Sequence, residues 1–243
     1  MSVSKARVRA IYRKELREYR RNRSLVVGMA ILPLIFTIQP LVDIFALPAS
    51  SSSGLRHGDI LLYMLGIPAI VPAAMSAYSV AGERTQGTLE PVLTTPIRRE
   101  EFLLGKALAV LVPSMAIAYA VYAFVVACVA LFAEPSVASA LLRGPDVLAQ
   151  LLFTPLIAGW SVWLGMAIST RASDVRVAQQ IGMLASLPSI AVTTLIALNV
   201  IHASLGVSVG LAAVLLLANR VGWRMTSSLF DRERLVTGAS ATP

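Results

Sequence analysis

Apolar residues fill most of the chain in long runs, and short segments between the runs hold most of the charges. A helix of about 20 apolar residues is long enough to cross about 30 Å of hydrocarbon. The pattern therefore predicts an all-α polytopic membrane protein with six transmembrane helices. These lie near Leu25–Leu47, Ile60–Ala81, Ala107–Ala133, Val147–Ser169, Val177–Val200 and Leu205–Trp223.

The segment before the first run has a helical pattern with one apolar face. Val8, Ile11, Tyr12, Leu16 and Tyr19 recur with a period of 3.6 residues, while Arg and Lys fill the other face. Such a helix lies in the headgroup plane, with its basic residues against anionic lipid. It serves either as a topology anchor alone or as an elbow helix that also touches a cytoplasmic partner.

Composition supports a membrane protein. The 243 residues are 56% hydrophobic and 14% charged, whereas a soluble domain carries about 25% charged residues. The mean hydropathy is +0.73. We expect a multi-pass protein of the inner (cytoplasmic) membrane, with the lipid bilayer as a partner.

The positive charges fix the expected orientation. Of the 21 Lys and Arg residues, all but Arg56 and Arg143 precede the first run, lie between runs 2 and 3 or 4 and 5, or belong to the C-terminal end. Because basic residues concentrate on the cytoplasmic side, both termini are predicted to be cytoplasmic. The net charge of +8 then reflects topology, and no nucleic-acid partner is expected.

One membrane domain, 1–243, is predicted. It comprises the amphipathic elbow helix (4–23), the six-helix region (24–223) and a cytoplasmic tail (224–243). No metal site is expected, because His57 and His202 fall near the outer face without a third ligand.

Loop 82–106 is the most informative polar segment, with the sequence GERTQGTLEPVLTTPIRREEFLLGK. Thr88 is placed to cap a short helix with Glu90 in its first turn, where a carboxylate suits the helix dipole. Leu89, Val92 and Leu93 then form a small apolar face. That face suits a groove in another protein, and the alternative is packing on its own protein or on lipid.

The end of the short helix is also predictable. Thr94-Thr95-Pro96 stops it, and Thr95-Pro96 can start the next helix, which runs through Glu100 and Glu101 into the third span.

The loop resembles the cytoplasmic coupling loop of ABC-2 type transporter permeases. The resemblance rests on Glu83-Arg84, Gly87-Thr88-Leu89-Glu90, Leu93, Thr95-Pro96, Glu101 and Leu104-Gly105-Lys106, with weaker matches at Lys14-Glu15-Leu16 and Phe230-Asp231-Arg232-Glu233. It implies an exporter in which two permease subunits, either two copies of this chain or one with a related permease, form the pathway above two ATP-binding cassette subunits.

The resemblance also assigns roles within the loop. It implies that Leu89, Val92 and Leu93 fill a cleft on the ATP-binding subunit, and that Glu83, Arg84 and Glu90 make polar contacts or brace the hairpin. The remaining coupling positions are Gly87, Thr88 and Pro96.

The chain is expected to be a transport subunit rather than an enzyme. It has no GxxxxGK[ST] phosphate loop, so ATP and Mg are expected in the partner and no cofactor in this chain. An ion-gradient-driven secondary carrier is the alternative, and it requires ionisable groups near the midplane. A membrane-embedded enzyme is the third class, but the sequence shows none of its motifs, such as HExxH.

Four polar residues in or near the spans are candidates for a translocation pathway: Gln39, Asp43, Gln179 and Asn199. Asp43 lies near the outer end of its span, where the headgroup level is an alternative environment for a carboxylate. The side-chain amides of Gln39, Gln179 and Asn199 could equally form hydrogen bonds between helices. The sequence does not indicate the substrate.

Overall fold

Helices make up the architecture in the computed structural model, which describes residues 3–45, 60–85, 87, 97–172, 174–198, 200–201 and 204–229. In these ranges the α-helices are α1 (Lys5–Arg21), α2 (Arg23–Phe45), α3 (Gly66–Thr85), α4 (Arg99–Phe132), α5 (Pro135–Leu141), α6 (Gly144–Arg171), α7 (Val175–Ala197) and α8 (Leu205–Leu229). A 3-10 helix, Ile60–Leu65, precedes α3. No strand occurs within the described ranges, which agrees with the all-α prediction.

Five segments are long and apolar enough to cross a membrane, and they match five of the predicted spans. They are Ile60–Glu83, Arg99–Phe132, Gly144–Arg171, Val175–Ala197 and Leu205–Leu229. The first predicted span falls on α2, whose described apolar part, Ile31–Val42, is shorter than a membrane crossing. The count of six spans therefore stays a prediction, as does the orientation of the termini.

Helix boundaries differ from the sequence prediction at three places. Helix α4 begins at Arg99 rather than at Thr95-Pro96, because the Glu101 carboxylate accepts the Arg98 backbone N–H at 3.1 Å and caps the helix there. Helix α8 continues to Leu229, so the first residues of the predicted tail are helical. The short helix α5, which begins with Pro135 at its first position, was not predicted.

Helix α3 lies at the centre of the bundle, in contact with α4, α6 and α7, whereas α8 packs mainly on α6. Small side chains allow the close approach. A Cβ atom on Gly165 of α6 would lie 2.6 Å from the Ala73 carbonyl oxygen, and one on Gly182 of α7 would lie 3.1 Å from the same oxygen. Such small-residue contacts are typical of helix packing in membranes.

Helix α1 packs along the N-terminal part of α4. Ile11 and Tyr19 are buried, and Val8, Tyr12 and Leu16 are half-buried. These apolar residues of α1 are therefore buried or half-buried, and the central ones contact protein. The placement of α1 in the headgroup plane remains a prediction.

Candidate functional site: an ionic cluster at the root of loop 82–106

A buried lysine joins three helices where loop 82–106 meets the bundle. Lys106, in the second turn of α4, is 0% exposed. Its Nζ atom lies 3.0 Å from Glu15 Oε1 of α1 and 3.1 Å from Glu83 Oε1 of α3, and it donates to the Ser79 carbonyl oxygen at 2.8 Å. The Phe102 ring centroid is 5.0 Å away, within range of a cation–π contact.

Lys14 completes the cluster from the solvent side. Its Nζ atom lies 2.6 Å from Glu83 Oε1 and 3.3 Å from Glu15 Oε1, and it also pairs with Glu18 at 3.1 Å. Burial by itself would lower the pKa of Lys14, but its hydrogen bond to Glu83 and the charges of Glu15 and Glu83 raise that pKa above its ordinary value. We call Lys14, Glu15, Glu83 and Lys106 the ionic cluster.

The ionic cluster balances two buried carboxylates with two ammonium groups. Glu15 is 2% exposed and Glu83 is 5% exposed, so either carboxylate would be costly without a partner. Burial raises the pKa of the neighbouring Tyr19 hydroxyl, and the Glu15 charge raises it further. The tyrosine therefore stays neutral beside the cluster.

Three carboxylates of this region, those of Glu15, Glu18 and Glu83, have oxygen atoms within 4.8 Å of one another. Their spacing would fit a metal ion. However, Lys14 pairs with all three carboxylates and Lys106 with those of Glu15 and Glu83, at 2.6–3.3 Å. We therefore interpret this arrangement as an ion-pair network.

A second polar contact fixes the start of α1 on α4. Glu101 accepts the Ser4 backbone N–H at 2.8 Å and pairs with Arg7 at 3.3 Å, in addition to capping its own helix through Arg98. Hydrogen bonds to a charged group are stronger than those between neutral groups. Glu101 thus holds α1 at its N-terminal end, while the ionic cluster holds it further along.

Close backbone contact explains why a glycine precedes Lys106. A Cβ atom on Gly105 would lie 2.7 Å from Ile11 Cβ and 3.2 Å from the Val8 carbonyl oxygen. Helix α1 can therefore approach α4 only because position 105 has no side chain. This approach brings Glu15, one helical turn after Ile11, to Lys106.

The structure places only part of the predicted coupling set. Glu83 belongs to the ionic cluster, Arg84 lies in α3 with its side chain outside the described set, and Gly87 is an exposed turn residue with φ +66°. This left-handed backbone conformation favours glycine. The other predicted coupling residues, Thr88, Leu89, Glu90, Val92, Leu93 and Pro96, lie outside the described residues.

The predicted pathway residues lie on different elements. Gln39 of α2 is exposed, Gln179 of α7 is half-buried, and Asp43 lies in α2 with its side chain outside the described set. Asn199 is not among the described residues. The pathway assignment stays a prediction.

An apolar cavity of about 510 Å³ opens between α6, α7, α8 and the 3-10 helix, at the end of the bundle away from the ionic cluster. Leu65, Phe153 and Leu211 contribute to its wall, and Asp146 and Thr193 supply polar groups. Of the predicted pathway residues with described side chains, neither Gln39 nor Gln179 lines it.

Sequence reasoning missed the pairing of Glu15 with Lys106, although both residues belong to the segments that carry the resemblance. One signal was available: Glu15 lies on the same helical row as Ile11 and Tyr19, at spacings of four residues, and so interrupts the apolar face. A carboxylate on a buried face requires a cation, but spacing does not show which one.

Comparison with known families gives one match. A family model described as ABC-2 family transporter protein matches residues 9–220. The matched range includes most of α1, the whole of loop 82–106 and the first 16 of the 25 residues of α8. A comparison with curated proteins finds no match.

Proposed function

Because the chain belongs to the ABC-2 transporter family, we propose that it is the permease subunit of an exporter driven by separate ATP-binding subunits. The family match and the five long apolar helices make it a multi-pass membrane permease. The proposal adds that two such subunits form the translocation pathway and that two ATP-binding cassette subunits bind beneath them. ATP and Mg belong to those partners, and the membrane is the inner membrane.

The geometry at the root of loop 82–106 is the observation that carries the coupling part of this proposal. Glu83 lies just before the loop leaves α3, and Lys106 lies where the loop has become α4. Their direct contact at 3.1 Å, shared with α1 through Glu15, ties both ends of the loop to one another. Displacement of such a loop would move three helices together rather than bend a loose connection.

Residues 88–96 are the proposed docking segment. An apolar face formed by Leu89, Val92 and Leu93 suits a cleft on an ATP-binding subunit, with Glu90 and Arg84 in polar contacts at its edge. The contacts of Glu83 support a bracing role for that residue, because they are made within this chain.

The distribution of buried charge favours this function over an ion-gradient-driven carrier. A carrier of that kind needs ionisable groups near the middle of the membrane. Among the described residues, the buried Asp, Glu, Lys and Arg side chains are Glu15, Glu83, Glu101 and Lys106, and all four contact or border α1 at one end of the bundle.

The test of docking is co-purification with an ATP-binding-cassette protein encoded beside this chain. We expect Leu89→Asp/Leu93→Asp to lose that partner, because two buried carboxylates would face an apolar cleft. The matched control, Gln86→Asp/Thr94→Asp, adds the same charge to the same loop off the apolar face and should keep the partner. A complex that survives Leu89→Asp/Leu93→Asp would contradict apolar docking.

The energy source has its own test, made on the reconstituted complex. We expect transport to stop when the partner's ATP hydrolysis is abolished by substitution of its phosphate-loop lysine. Transport that continues without ATP, and follows an imposed ion gradient, would overturn the proposal in favour of a secondary carrier.

A further inference from the structure

A groove of about 630 Å³ lies between α1 and α4, beside the row of α1 that contacts Gly105 and Lys106. Its walls are apolar and its rim is basic. The apolar lining consists of Val3, Val8, Tyr12, Leu104, Leu108 and Val112, and the basic rim consists of Lys5, Arg9 and Arg13. A groove with apolar walls and a basic rim favours an amphipathic ligand, which has an anionic part and an apolar part.

The basic rim follows from the helical period. Lys5, Arg9 and Arg13 are spaced by four residues, so their side chains form one row along α1. Ile11 and Glu15 occupy a neighbouring row that packs on Gly105 and Lys106. The packing of α1 on α4 therefore sets three cations beside the groove.

These three cations have no carboxylate partner among the described residues. All three side chains are exposed. Two other cations of α1 have carboxylate partners, because Arg7 pairs with Glu101 and Lys14 pairs with Glu83. Three like charges within two helical turns repel each other, and an anion placed between them would relieve that repulsion. Arg and Lys side chains bind phosphate through charge-assisted hydrogen bonds.

The apolar wall continues from the groove along α4. Leu104, Leu108, Val112 and Ala116 repeat every four residues, and the last three are exposed. At 1.5 Å per residue this row is about 18 Å long. That length is close to half of the roughly 30 Å hydrocarbon thickness, which is the depth of one leaflet.

We propose that this groove binds a single anionic phospholipid, with its phosphate on Lys5, Arg9 and Arg13 and an acyl chain along the α4 row. A free phosphate or a soluble anion would use the rim but not the apolar wall. The proposed site differs from the interfacial placement expected from the sequence, in which the apolar face of α1 itself enters the lipid. Here that face packs mainly on α4, and the lipid lies between the two helices.

The experiment uses the full chain, delipidated in detergent, and native mass spectrometry. Phosphatidylglycerol and phosphatidylcholine with the same acyl chains are titrated separately, and glycerol 3-phosphate is added as a headgroup without chains. We expect tighter binding of phosphatidylglycerol and no displacement by equimolar glycerol 3-phosphate. Equal affinity for the two lipids, or displacement by the free headgroup, would overturn the proposal.

Substitution of the basic residues of α1 then tests whether the lipid binds in the groove. We expect Arg9→Gln/Arg13→Gln to weaken phosphatidylglycerol binding by about thirtyfold, or about fivefold for each cation. The matched control, Arg20→Gln/Arg21→Gln, removes the same charge from exposed positions of α1 that do not line the groove, and should leave the affinity unchanged. Equal losses in the two variants would mean that the surface charge of α1 acts diffusely and that no site exists.

Circular dichroism of each variant checks that α1 remains folded. If Arg9→Gln/Arg13→Gln loses helix, Lys5→Gln/Arg9→Gln replaces it, with the same expected loss of binding. Retention of full affinity by a folded variant of either pair would overturn the proposal. The result does not depend on whether an ATP-binding partner docks at loop 82–106.

Discussion

The α3 span and α8 are similar in apolar character, yet they have opposite environments. In the span Ile60–Glu83, 83% of the most apolar 18-residue stretch is buried, whereas in Leu205–Leu229 the share is 11%. Length and hydropathy therefore identify both as membrane spans but do not distinguish the centre of the bundle from its edge. The side chains that make the distinction are small on α3 and bulky on α8.

The contact surfaces show this difference directly. Ala69, Ala73 and Ala77 of α3 are all 0% exposed, and α6 and α7 approach them closely. On α8, Leu216 and Leu217 are 58% and 63% exposed, and such a surface suits lipid or a second subunit. Substitutions of matched chemistry should therefore have unequal effects at the two helices.

The largest effect on stability is expected at the ionic cluster, which lies at the C-terminal end of α3. Lys106→Met would leave the Glu15 and Glu83 carboxylates with less compensation, and removal of one partner from a buried ion pair costs about 3–5 kcal/mol. Thermal unfolding of the purified chain in detergent measures the loss. Arg20→Met is the control, because Arg20 is exposed and does not line the groove between α1 and α4. Equal melting temperatures for the two variants would contradict a structural role for the ionic cluster.

The next largest effect is expected at the contact between α3 and α6. A Cβ atom on Gly165 would overlap Ser76 Oγ and the Ala73 carbonyl oxygen. We expect Gly165→Val to reduce the free energy of unfolding by about 1–3 kcal/mol or more, the usual cost of overpacking. Fluorescence-detected size-exclusion after heating is a suitable measurement. Unchanged stability would show that the centre of the bundle is looser than its contacts indicate.

An intermediate effect is expected where α8 is attached to α6. Asn219 Nδ2 donates to the carbonyl oxygens of Leu156 and Leu215, each at 2.8 Å. Asn219→Ala removes both bonds, and a hydrogen bond between membrane helices contributes about 0.6 kcal/mol on average and at most about 1.7. The same unfolding assay should show a loss in this range. A loss as large as that of Lys106→Met would mean that α8 is less peripheral than we describe.

The smallest effect is expected on the open face of α8. A Cβ atom on Gly210 would meet no heavy atom within 4 Å among the described residues, so Gly210→Val should change the free energy of unfolding by no more than about 0.5 kcal/mol. This variant is the matched control for Gly165→Val. A loss as large as that of Gly165→Val would show that α8 is covered in the assembled protein.

Much of the fold was predictable, because hydropathy and length depend on neighbouring residues only. Five spans and the helical nature of α1 follow from such local patterns. The start of α4 was predicted wrongly, because Thr95-Pro96 resembles a helix start while the actual cap uses Glu101. The central position of α3 was not predictable, since alanine and glycine contacts arise only after helices meet.

The candidate site was less predictable than the fold. Lys106 and Glu15 are 91 positions apart in the chain, and periodicity does not extend over such a distance. The resemblance included the segments of Lys14, Glu83 and Lys106 but assigned Glu83 only a general polar or bracing role, and the structure supplies its partners, Lys14 and Lys106. Docking by Leu89 and Leu93 stays a prediction.

The residues of the ionic cluster lie far apart in the chain, and this has a consequence for biosynthesis. Helix α1 is made before α4, so Lys106, which pairs with Glu15, is added only after two further predicted spans have been synthesised. Until then, Glu15 and Glu83 can share only Lys14, and α1 lacks the surface of α4 on which it packs. The N-terminal helix therefore reaches its final position late, and its docking marks the point at which the first half of the bundle is complete.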